Sequence, residues 1–68
     1  MRHYKLTVFK YLDGGREPYG AKVYVGSFDR VWRILSHQFS LNTPVELVGS
    51  RYRILGPGKT LAELEPKE

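Results

Sequence analysis

The chain has 68 residues, enough for one small domain, with 41% hydrophobic residues, nine aromatics and no cysteine. That composition excludes a disulfide framework and a thiolate metal site, and lies well above the hydrophobic content of disordered chains. The net charge of +4 is uneven: residues 1–59 balance at +6 and residues 60–68 at −2, a basic body with an acidic tail that points to anionic partners.

Residues 3–12, HYKLTVFKYL, alternate as a strand. Tyr4, Leu6, Val8 and Leu12 share one face, and His3, Lys5, Thr7, Phe9 and Tyr11 the other. The turn-rich segment 13–20, DGGREPYG, follows, and 21–25, AKVYV, forms the return strand. Ala21, Val23 and Val25 are expected on its buried face, with Lys22 and Tyr24 on the open one.

Gly26 and Ser27 then break the strand. Ser27 is a natural N-cap, and Asp29 complements the positive end of the helix that follows. Phe28, Val31, Trp32, Leu35 and Phe39 form an apolar stripe over 28–39, with Arg30, Arg33 and His37 opposite and Asp29 spaced to pair with Arg33. Asn42 and Pro44 supply a stop. A tight hairpin comes next, VELV and RYRI around Gly49-Ser50, in which Gly takes the first position of a type II′ turn. This register sets Val45 opposite Ile54, Leu47 opposite Tyr52, Glu46 opposite Arg53 as an ion pair, and Val48 opposite Arg51. After GPGK at 56–59, Thr60 and Glu63 have capping-box spacing, and a single helical turn ended by Pro66 is expected.

The expected fold is therefore α+β: ββαββ in one domain, 1–68. A four-stranded, mostly antiparallel sheet carries one amphipathic helix on one face, its third strand beside its first, and the acidic tail 60–68 holds a short helical turn.

GPGKT at 56–60 looks like the end of a phosphate-binding loop, but the required first glycine falls on Arg53, so this is a turn. His3 and His37 stand on different elements without carboxylate neighbours, which makes a poor metal site. Asp13, Asp29 and the glutamates of the tail are scattered, and Ser27, Ser36 and Ser40 have no base at readable spacing. No enzyme, metal or other cofactor is implied.

The functional content lies on the sheet face turned away from the helix. Lys5, Phe9, Tyr11, Lys22 and Tyr24 are expected together there, joined by Arg51 and Arg53 of the second hairpin. Such a face fits an acidic protein surface, with the chain acting as a modulator of a larger partner. It could also stack bases and neutralise phosphates in a nucleic acid, or simply stabilise the sheet by cross-strand aromatic pairs. An edge strand could add to a partner's sheet or pair two copies as a homodimer. No apolar run approaches the roughly 20 residues of a membrane helix, and the first residues lack the pattern of a signal peptide. Met1 leading directly into strand-like sequence suggests a complete small protein. With no cysteine, a cytoplasmic location is expected.

The order strand–strand–helix–strand–strand–short turn is similar to ubiquitin-like β-grasp domains. Within them it resembles the doublecortin domain, through Leu6-Thr7-Val8-Phe9-Lys10, the Asp13-Gly14 turn, Gly20 to Val25, Ser27-Phe28-Asp29 with Trp32 and Leu35, and Thr60 to Leu64. The resemblance implies binding to microtubules, whose surface is acidic. The family's Asn-Gly-Asp turn is replaced by Asp13-Gly14-Gly15, and no final central strand is read after the short turn.

Overall fold

The computed structural model describes residues 2–39 and 43–67. Its elements are β1 (His3–Tyr11), β2 (Pro18–Gly26), α1 (Phe28–Gln38), β3 (Val45–Val48), β4 (Arg51–Gly56) and β5 (Lys59–Lys67). The five strands form one antiparallel sheet in the order β2-β1-β5-β4-β3, so the fold is small and mostly β rather than a four-stranded ββαββ arrangement. β3 lies at an edge, not beside β1.

The difference comes from residues 59–67. Ala62 and Leu64 alternate with Glu63 and Glu65, and that period of two fits a strand between two others. Both apolar residues are fully buried, which a single helical turn at the domain edge could not achieve. The expected capping box and acidic tail are thus replaced by the central strand. Pro66 lies past Leu64, where pairing with β4 has ended, so its missing amide interrupts only one flank of the sheet.

The registers build two rows across the helix-side face, apolar in character except for Lys22 at one end. One runs Tyr24, Leu6, Leu64, Tyr52, Leu47; the other runs Lys22, Val8, Ala62, Ile54, Val45. Val31 and Leu35 of α1 pack onto these rows, completing a buried core with Leu6, Ile54, Ala62 and Leu64. Each fully buried aliphatic side chain contributes about 1.5–3 kcal/mol. Partly buried Tyr4, Val8, Tyr24, Ile34, Phe39, Tyr52 and Leu61 surround the core.

Ser27 caps α1 by accepting from the Arg30 amide at 3.4 Å, and the Phe39 amide closes the other end on the Leu35 carbonyl. Asp29 and Arg33 form no ion pair among the described residues. Asn42, read as part of the stop, lies outside those residues. The β3–β4 hairpin has the expected register, and Gly49 sits at φ +62° while Ser50 has no positive φ, as a type II′ turn requires. The Pro57-Gly58 turn joins β4 directly to β5, leaving no helix after it to receive a phosphate.

Candidate protein-binding surface

Among the described residues the helix backbone lies against β1 and β2 alone, so α1 sits to one side of the face it covers. The β4–β3 half of that face is left partly open. Trp32, Leu35, Ser36, Phe39, Thr43, Val45 and Ile54 line a groove there of about 80 Å³, room for one aliphatic side chain. Trp32 is 40% exposed and Leu47, on the same sheet face, 60%. An aromatic row leads to the groove along the helix flank: the Tyr4 ring meets Phe28 edge-on at 5.2 Å, and Phe28 stacks on Trp32 at 5.5 Å. Large apolar groups held half-exposed and side by side by rigid elements are the means by which proteins anchor to other proteins.

The opposite face is divided. Its β1–β2 half presents Thr7, Phe9, Ala21, Val23 and Val25, while Lys5 of β1 and the glutamates and arginines of β5 and β4 present charge. Lys5 lies 3.7 Å from Glu65, which also receives Arg51 at 3.1 Å. Glu63 lies 4.0 Å from Arg51 and 3.9 Å from Arg53. Three of the seven expected contact residues, Lys5, Arg51 and Arg53, are therefore matched by glutamates of the central strand. The expected Glu46–Arg53 pair does not form among the described residues; the Arg53 Nε lies on the Glu63 side instead, at a distance too long for a hydrogen bond.

Lys22 and Tyr24 are not on this face. The β1–β2 register pairs Leu6 with Tyr24 and Val8 with Lys22, which sends both to the helix side. There the Lys22 ammonium stands 5.3 Å over the Tyr24 ring, and the Gln38 amide donates to the Tyr24 hydroxyl at 3.4 Å. Val23 and Val25, expected to be buried, are instead 51% and 45% exposed. The cause is local: β2 enters α1 through Ser27 with no intervening loop, and Gly26 lies opposite Tyr4 on the covered side. The apolar alternation of Ala21, Val23 and Val25 carries no record of which face the helix will take.

Phe9 and Tyr11 remain on the open side but serve different ends. Phe9 borders an open depression of about 300 Å³ with Pro18, Tyr19, Gly20 and Ala21, beside the irregularity in the β1–β2 ladder. Tyr11 is engaged internally: its hydroxyl donates to the Thr60 carbonyl, and the Lys59 ammonium stands 4.7 Å over its ring while donating to the Gly15 carbonyl at 3.2 Å. Of the three rings expected to stack bases, only Phe9 is thus both free and on the open face.

Compared with family models, curated proteins and solved structures, the chain matches none. The described residues contain no group of three or more His, Asp or Glu able to hold a metal ion, and no helix long and apolar enough to cross a membrane. Trp32, which sequence reasoning placed in the scaffold, is half-exposed and lines the groove. Its signal was present, since Trp32 and Phe39 lie toward the rim of the stripe centred on Val31 and Leu35.

Proposed function

We propose that this chain is a small, basic, non-enzymatic binding protein that docks on a larger protein and modulates it, through the helix-side groove rather than the opposite sheet face. The observation that carries this reading is the off-centre helix, which leaves Trp32, Val45 and Leu47 exposed around one apolar concavity. Such a patch is costly to keep in water unless another surface covers it. An acidic partner surface is supported by Lys22, Arg30 and Arg33, which carry no ion pair among the described residues and lie on the helix or on the sheet face beneath it. The paired cations of the open face lend that surface less weight as an anion site.

Affinity capture with the tagged chain, followed by quantification of bound proteins, tests the reading. One stoichiometric partner is expected, retained by the wild type and lost by Trp32→Ala combined with Leu47→Asp, with circular dichroism showing that the variant still folds. Salt-sensitive binding of a single-stranded oligonucleotide, in the absence of any captured protein, would replace it with the nucleic-acid reading.

A further inference from the structure

We propose that the groove beside Trp32 and the outer edge of β3, unpaired among the described residues, are one site, which takes an extended strand from the partner protein with aliphatic residues at alternate positions and a lysine or arginine between them. This rests on the protein-binding reading above and specifies the mode of contact.

The backbone argument starts from the β3–β4 ladder. The Leu55 amide donates to the Pro44 carbonyl at 2.9 Å. In an antiparallel ladder, alternate residues turn both polar groups to the same neighbour, so Glu46 and Val48 also face β4. Val45 and Leu47 then direct their amides and carbonyls off the sheet, at the end of the strand order. The other edge strand, β2, has its register shift and Pro18 at its start, and its continuous part, Gly20–Gly26, lies at the far edge of the sheet from the groove.

Side chains add direction. Residues of an added strand that hydrogen-bond to Val45 and Leu47 would place their own side chains on the helix side, because directly opposed residues share a face. That side carries the rim of the groove at Val45 and the exposed Leu47, and it asks for aliphatic residues there. The intervening residue would fall on the open face opposite Glu46.

Charge selects the occupant. On the open face the strands alternate in sign: Glu63 and Glu65 on β5, Arg51 and Arg53 on β4, Glu46 on β3. Glu46 has no ion pair among the described residues, and a cation on the next strand would continue the alternation. A second copy fits less well. The two-fold register that matches Val45 with Leu47 of the other copy sets Glu46 against its own equivalent, and the register centred on Leu47 sets Glu46 against Val48, so neither supplies it a cation.

The test uses an end-capped peptide, Thr-Val-Thr-Leu-Lys-Leu-Thr-Val-Thr, and its counterpart with Glu in place of Lys. Trp32 is the only tryptophan and reports directly on the groove. At peptide concentrations near ~1 mM, the Lys peptide should shift Trp32 emission to the blue saturably and slow amide exchange at Val45 and Leu47. The Glu peptide should bind roughly three- to tenfold more weakly, and Glu46→Lys should reverse that order. Equal binding of the two peptides, an order unchanged by Glu46→Lys, protection at β2 instead of β3, or sedimentation as a dimer closed at β3 would each overturn the proposal. If neither peptide binds, strand addition is wrong, and the capture experiment, which does not depend on a free β3 edge, still decides the broader reading.

Discussion

The Arg51 Nε lies 3.1 Å from a carboxylate oxygen of Glu65, joining β4 to a central strand whose sequence reads as an acidic tail. Glu65 simultaneously holds Lys5 of β1, so one carboxylate bridges both flanks of β5. The apparent segregation of charge along the chain is cancelled in space. What remains of the net +4 is carried partly by residues on the helix side, Arg30 and Arg33 among them.

Removing the bridging carboxylate by Glu65→Gln is expected to cost only about 0.5–1 kcal/mol, because Arg51 and Lys5 remain well solvated. Urea unfolding in low salt should reveal the loss. In about 1 M salt, where charges are screened within ~3 Å, wild type and variant should converge.

Leu64 occupies the centre of the row that crosses all five strands and is fully buried. Leu64→Ala should destabilise by about 2–5 kcal/mol, a large share of the stability of a domain this small. Leu12, which is 69% exposed beyond the end of β1, provides the contrast. Leu12→Ala should change the unfolding midpoint little, within about 0.5 kcal/mol. Comparable losses at the two positions would contradict the central placement of β5.

A Cβ added at Gly56 would come within 2.9–3.1 Å of the Leu61 side chain. Gly56→Ala should therefore cost about 1–3 kcal/mol through overpacking. In a Leu61→Ala background the same change should cost clearly less, and a double-mutant cycle showing simple additivity would refute the contact.

Lys59 ties the loop after β1 to the start of β5 through the Gly15 carbonyl and the Tyr11 ring. Lys59→Met keeps most of the aliphatic stem but removes the donor. Amide exchange in residues 13–16 should accelerate by roughly three- to tenfold, the equivalent of ~1 kcal/mol in local opening. The protection of Leu6 and Leu64 should be nearly unchanged.

Local chemistry made much of the fold legible. Ser27 followed by the apolar stripe specified the helix, and Gly49-Ser50 between two alternating segments specified a hairpin register that the structure reproduces residue for residue. Where two local readings competed, the tertiary context decided. Thr60 and Glu63 fit a capping box, yet Ala62-Glu63-Leu64-Glu65 also alternates, and the gain from burying Ala62 and Leu64 between two strands outweighs one reciprocal cap. The complementary signs of Glu63 and Glu65 against Arg51, Arg53 and Lys5 were the available clue to that placement. Lys22 and Tyr24 fell on the wrong face for a different reason. An alternating strand defines two faces but not which one a neighbouring helix will cover, and a reversal of that assignment exchanges every side chain at once.

Chain order gives the central position of β5 a consequence for biosynthesis. The segment that joins the two halves of the sheet is made last of the six elements. Without it, β1 pairs only with β2 and β3 only with β4, and none of the sheet pairings joins the two. The inner edges of β1 and β4 therefore stay unpaired until residues 59–67 dock, open to any extended segment that reaches them first.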